Sequence, residues 1–284
     1  FLVKYYGLED AIQIVRTFPG NGDDGWFLKP KSEWEKTIVE GNSDAFVDTD
    51  PVDDVSHMRD FYAAKAPEYD GKITVPVLFD KKTGKIISTD SMSMAKALCG
   101  KGMRAARTRN KDVELLPSAD DAAATEAMNK LVNELSAEVT SKVYKIHGSP
   151  TQAEHNKLTE ELFATFGKLD KMLADSNADS AKQFLVGGKM SFADTILFHT
   201  AIRFELGYRW RFNIGGDSLI DKYPAVWNLV TRFMAIEGIS GKGGSVLPKD
   251  ITRFFWTSAS LAKMGAVKTP VPTLPTMFTP TGLA

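Results

Sequence analysis

The 284-residue sequence holds a single cysteine, Cys99, so no internal disulfide can form and a cysteine-built metal site is excluded. Its four histidines (His57, His147, His155 and His199) are dispersed, and no metal is expected. Thirty-five Lys and Arg stand against 36 Asp and Glu, and the formal net charge of −1 offers no general attraction to nucleic acid or an anionic membrane. No apolar run approaches the ~20 residues that a membrane-spanning helix needs. There is no internal repeat and no signal or transit pattern. The compartment is left open between cytoplasm, plastid and mitochondrion. What is present, 43% hydrophobic and 25% charged residues, is the composition of a soluble globular protein long enough for one large or two ordinary domains.

The chain is organised around Gly71 to Ser91. Ile73 to Phe79 is short, β-branched and apolar, which predicts a buried strand. Lys81-Lys82-Thr83-Gly84 is a turn, and Lys85 to Ser88 is the partner strand of a hairpin. Pro76 is out of place in such a strand, because proline donates nothing to a ladder; it marks an edge, a bulge or a cis bond. A cis bond there turns the backbone of Val75 outward, where an extended peptide could add as a strand. Asp90-Ser91 then opens a helix over Met92 to Leu98. A helix N-terminus binds a carboxylate, and the adjacent aspartate can hold an ammonium group. The bland alternative, an edge strand followed by an ordinary helix cap, uses the same residues.

In chain order, Phe1 to Tyr6 reads as the second half of a helix closed by Gly7, so residues upstream of Phe1 are expected. Ala11 to Phe18 is predicted to be a strand, Pro19 to Lys31 a loop containing Gly25-Trp26-Phe27, and Ser32 to Pro51 irregular. Met58 to Lys65 has helical spacing and stops before Pro67. One more strand at the front would complete a thioredoxin-like layer over residues 1–100. Residues 101–118, carrying Arg104, Arg107, Arg109 and Lys111, read as a solvated linker rather than a partner patch.

Residues 119–266 form an all-helical domain. Ala123 to Tyr144 sets Ala127, Leu131, Leu135 and Val139 on one face; Thr151 to Leu173 aligns Leu158, Leu162, Phe166, Leu169 and Leu173. After a tight connection over Phe184 to Met190, Ser191-Phe-Ala-Asp194 is a capping-box variant that opens an apolar helix, Thr195 to Leu206. Another helix runs from Tyr223-Pro224 to Met234 and is broken at Gly238. The proline-rich tail, 267–284, is irregular.

A thioredoxin-like layer followed by a helical domain opened by Ser-Phe-Ala-Asp resembles the glutathione transferases. More narrowly, the chain is similar to the xi/omega-like class, the glutathionyl-hydroquinone reductases. The similar stretches include Lys4 to Arg16, Gly25-Trp26-Phe27, Met58 to Tyr62, Pro67 to Gly71 and Thr74-Val75-Pro76-Val77-Leu78 with Asp80-Lys81-Lys82. In the second half they are Val143-Tyr144-Lys145, Ala193-Asp194-Thr195, Ile202-Arg203-Phe204, Ile220 to Pro224 and Glu237-Gly238-Ile239. The resemblance spans Lys4 to Pro275 and implies an α+β architecture: a truncated thioredoxin-like N-terminal domain, then an all-α C-terminal domain.

It also implies that the peptide is glutathione, as co-substrate, in a cleft between the two domains. Val75, in the binding segment with Pro76, would pair with its cysteinyl backbone, Asp90 and Ser91 would hold its γ-glutamyl end, and Trp26 would wall the site. This chain has Asp-Ser where the family has Glu-Ser. The family nucleophile, a Cys in a Cys-Pro-Trp-Ala turn, would fall roughly two helical turns before Phe1 and is not in this sequence. Cys99, at a helix end, is expected to be an ordinary thiol. Tyr144 matches the first of two family tyrosines that address the substrate. The second belongs to His-Tyr-Tyr-x-Ser, which here reads Phe254-Phe255-Trp256-Thr257-Ser258, leaving Tyr144, Phe255 and Trp256 as walls of an aromatic pocket. Tyr208 to Asn213 is shorter than the family's equivalent. The implied activity is a glutathione-dependent thiol transferase or reductase acting on glutathionyl-hydroquinone-type conjugates, small aromatic electrophiles; a homodimer is compatible with it. The alternative is a catalytically silent transferase fold serving as a structural or interaction subunit of a larger assembly, its prolyl tail lying along a partner.

Overall fold

A computed structural model describes residues 1–19, 26–28, 55–186, 188–240, 244–246, 248 and 251. The expected irregular stretch 32–51, the pocket residues Phe255 and Trp256, and the tail 267–284 lie outside them. The chain divides into two compact units, one including Leu8–Leu98 and one including Phe1–Gly7 and the described residues from Cys99 onward.

In the Leu8–Leu98 unit, β1 (Phe18–Pro19) pairs antiparallel with β2 (Trp26–Phe27). Helix α2 (Met58–Lys65) has the bounds its spacing predicts, and it buries Met58, Phe61 and Tyr62 with Leu28. β3 (Leu78–Asp80) and β4 (Lys85–Ser88) form the expected hairpin. Its turn closes through Gly84, which has φ +67° and donates its N–H to the Asp80 carbonyl at 2.8 Å. The Asp80 carboxylate accepts the Lys82 N–H at 2.9 Å and the Thr83 hydroxyl at 2.7 Å, which holds its pKa below the usual carboxylate value.

Two expected strands are shorter in the structure. Ala11 to Thr17 forms none, and Ile14 is 53% exposed: the alternation is present, but among the described residues nothing pairs with it. Only Leu78 and Phe79 of the expected strand Ile73–Phe79 join a ladder, because Pro76 interrupts the segment before them. Trp26 and Phe27, expected in a loop, form β2.

In the other unit, α1 (Leu2–Tyr6) ends where expected, at Gly7 with φ 63°. A side chain there would also collide with the Thr108 hydroxyl. Helix α3 (Ser91–Cys99), which belongs to the Leu8–Leu98 unit up to Leu98, runs into a 3₁₀ turn, Lys101–Ala106. The expected helix Ala123–Tyr144 is three pieces: α4 (Ala122–Leu135), a π-helical turn (Ser136–Thr140) and α5 (Lys142–His147). Its buried face is Met128, Val132, Leu135 and Val139, rotated from the expected one so that Ala127 is exposed. Next come α6 (Gln152–Ser176) and α7 (Phe192–Arg203). A second π-helical turn (Phe204–Tyr208) leads to α8 (Arg209–Arg211), α9 (Leu219–Lys222) and α10 (Pro224–Met234). α6 buries Leu162, Phe166, Leu169 and Leu173 as its spacing predicts. The capping box at α7 is present and fully internal. Asp194 accepts the backbone N–H groups of Leu185 and Ser191, each at 2.8 Å, and the Ser191 hydroxyl at 2.5 Å.

Arg107, read as a solvated linker charge, is 1% exposed. Its guanidinium donates to the carbonyls of Cys99 (2.6 Å), Gly100 (3.2 Å), Val113 (3.3 Å) and Lys111 (3.5 Å) and lies 3.8 Å from the centre of the Tyr6 ring. Helix α3 ends in carbonyls without intrahelical partners, and a planar five-donor cation satisfies them together. Thr108 and Asn110 hydrogen-bond the carbonyls of Gly7 and Tyr5, each at 2.8 Å, so this stretch also fastens α1.

Candidate functional site

The Val75–Pro76 peptide bond is cis, one of the three outcomes that Pro76 allowed. The segment is anchored from beneath by the buried Tyr62, whose hydroxyl donates to the Thr74 carbonyl at 2.9 Å. None of the hydrogen bonds among the described residues engages the Val75 backbone. Leu78 pairs with Ser88, so the hairpin brings the Val75 segment and the Asp90–Ser91 helix start to the same end.

Asp90 is the cap of α3. Its Oδ1 accepts the Ser93 N–H at 2.7 Å, and its own N–H donates to Ser88 Oγ at 3.1 Å. The bonds from Ser93 hold its pKa below the ordinary value, so the exposed carboxylate is ionised at neutral pH. Ser91, the first helical residue, is also exposed. Trp26 is half-buried on β2, packed against the core of Leu28, Met58, Phe61 and Tyr62. These residues belong to one unit and present the Val75 backbone, an anionic side chain and a helix N-terminus.

Cys99 is fully buried, and burial pushes its thiol up to about 12 against the opposing pull of Arg107. It is an inert thiol, as expected.

In the helical unit, Tyr144 on α5 is 53% exposed. Its hydroxyl lies 2.8 Å from that of Tyr208, and the rings meet edge to face at 5.4 Å. Phe212 stacks on Tyr208 at 5.3 Å, and His147 stacks on Phe212 at 4.4 Å. Burial, then Arg211, lowers the His147 pKa, so this imidazole is neutral at pH 7. The sequence pointed to Tyr144 but not to Tyr208, His147 or Phe212. The available signals were weak ones: an aromatic pair four apart, Tyr208 and Phe212, and Tyr144 and His147 three apart.

Among the described residues, no group of three metal-ligating side chains occurs, and no helix is long and apolar enough to cross a membrane.

A helical domain with a buried α7 capping box, alongside a unit carrying a cis-proline segment and an acid–Ser helix start, defines a glutathione transferase fold. Residues 134–241 match the protein-family model described as glutathione S-transferase, C-terminal domain. A glutathionyl-hydroquinone reductase, PcpF from Sphingobium chlorophenolicum, is 24% identical over 238 residues, 82% of this chain and 66% of the relative. The crystal structure of glutathione transferase Xi 1 from Trametes versicolor superposes with a TM-score of 0.78 at 25% identity, covering 96% of this chain and 86% of that one. Xi transferase ECM4 from Saccharomyces cerevisiae, solved in complex with glutathione, shares the fold with a TM-score of 0.81 at 19% identity, over 96% and 86% of the two chains. The chain has the glutathione transferase fold, and in fold and sequence it is similar to the xi-class members of that superfamily. It spans just under two thirds of the length of PcpF. These relatives are named as reductases and transferases, and none of the findings supports the structural-subunit alternative.

Proposed function

We propose that this protein is a glutathione-dependent thiol transferase or reductase acting on glutathionyl-hydroquinone-type conjugates. The observation that carries this reading is the Val75 backbone, without a hydrogen-bond partner among the described residues, at the same end of the hairpin as the ionised Asp90 and the α3 N-terminus. An extended γ-glutamyl peptide offers each of them a partner. Val75 pairs with the cysteinyl backbone, Asp90 holds the ammonium, and the helix start at Ser91 takes the carboxylate. Trp26 walls the peptide. The exposed Tyr144 hydroxyl hydrogen-bonds an oxygen of the hydroquinone.

In the reaction, the thiolate of the family's Cys-Pro-Trp-Ala cysteine, which this sequence does not contain, would attack the conjugate sulfur. The sulfur–ring bond breaks, its electron pair and a proton go to the ring carbon, and the hydroquinone leaves. The resulting mixed disulfide is then opened by a second glutathione thiol. The test is to incubate the full-length protein with a glutathionyl naphthohydroquinone and reduced glutathione and to quantify the free hydroquinone. Release well above the protein-free rate is expected, and Tyr144→Phe should lower kcat/KM by at least about 10-fold. A conjugate recovered intact would contradict the reading.

A further inference from the structure

An exposed phenol normally shares its hydroxyl with water and adopts no single orientation. Tyr144 is 53% exposed, yet its hydroxyl is engaged at 2.8 Å by that of Tyr208, which is 6% exposed. The two tyrosines come from facing helices tied by a 2.8 Å bond between the Thr140 and Thr200 hydroxyls. Each follows or closes a π-helical turn: Ser136–Thr140 lies before Tyr144, and Tyr208 ends Phe204–Tyr208. The first is closed by the Ser141 N–H donating to the Ser136 carbonyl at 2.8 Å. One inserted residue turns every later side chain by about 100° around the helix axis, so these turns set where both rings point. Phe212 then fixes the Tyr208 ring from below, stacked at 5.3 Å with a 20° interplanar angle.

We infer that Tyr208 is a positioning residue for Tyr144, its buried hydroxyl holding the Tyr144 hydroxyl in the one orientation that presents it to an oxygen of a bound hydroquinone. This rests on the proposal that Tyr144 addresses the substrate. Burial raises the Tyr208 pKa well above the ordinary phenol value, with Tyr144 adding to the rise and Arg203 opposing it. Tyr208 therefore keeps its proton and can donate it, which leaves the Tyr144 proton for the ligand.

The test is a double-mutant cycle on the full-length protein, with a glutathionyl naphthohydroquinone as probe and its dissociation constant measured by calorimetry. Tyr208→Phe removes one oxygen and keeps the stacked ring, so the variant is expected to fold. It should weaken binding about 3- to 10-fold when Tyr144 is present, and less than about 2-fold in a Tyr144→Phe background. A purely structural contribution would give equal losses in both backgrounds, and that result, or no loss in either, would overturn the inference while leaving the proposed function standing. A wild-type protein that binds no conjugate would overturn the proposed function and this inference with it.

Discussion

Replacing Arg107 with leucine should destabilise the protein by about 3–5 kcal/mol, the range seen when one partner of a buried ionic network is removed. The guanidinium is 1% exposed and donates to the carbonyls that end α3, Cys99 and Gly100, as well as to Lys111 and Val113. Leucine fills much of the volume but leaves those acceptors without donors, and each orphaned buried group costs about 1–3 kcal/mol. The Tyr6 ring, 3.8 Å from the guanidinium, loses its cation as well. The Val113 carbonyl is the least affected, because the Tyr6 hydroxyl also donates to it at 3.2 Å. Arg107→Lys should recover less than half of the loss, since a single ammonium cannot reach carbonyls spread around a planar fork. Urea denaturation measures both variants. A loss below about 1 kcal/mol would mean that the side chain is solvated, as its place in a charged stretch first suggests.

Asp194→Ala is the second large effect, with an expected loss of about 2–3 kcal/mol. It strips the acceptor from the backbone N–H groups of Leu185 and Ser191, while the Ser191 hydroxyl is free to turn. Part of that loss is offset because the buried carboxylate itself costs free energy. Burial raises its pKa from 3.8 to about 6, against the pull of the bonds from Leu185 and Ser191. A native pKa above the unfolded one means that the folded state favours the protonated side chain. The contribution of Asp194 is therefore fully present below pH 3.8 and is lost as the pH rises through about 6. Against Asp194→Asn, which does not titrate, the wild-type advantage should be larger at about pH 4.5 than at about pH 7.5. The opposite slope would show that the donated hydrogen bonds outweigh burial.

Local signals were legible wherever backbone chemistry decides the outcome. The bounds of α2 follow from helical spacing and Pro67, the end of α1 from Gly7, and the start of α7 from the Ser191–Asp194 pair. What depended on a distant partner was not. The alternation of Ala11 to Phe18 says which side chains could share a face but not whether another strand lies alongside, and Ile14 is left exposed. The four-residue apolar spacing of Leu135, Val139 and Val143 runs through the π-helical turn, so the piece ending at Thr140 read as one continuous helix and the face toward Tyr208 was hidden. Tyr144 and Tyr208 are 64 residues apart, and nothing local to either announces the other. Arg107 reads as solvated because charge predicts exposure; its burial follows only from the carbonyls gathered around it.

In the proposed function, the Val75 segment and Asp90–Ser91 receive glutathione. Calorimetric titration of reduced glutathione into the full-length protein, beside Asp90→Asn, tests it most directly. Saturable binding at one site per chain is expected, weakened about 10-fold by Asp90→Asn through loss of the charge-assisted bond to the ammonium group. No binding by the wild-type protein, or equal affinity in the variant, would contradict the account.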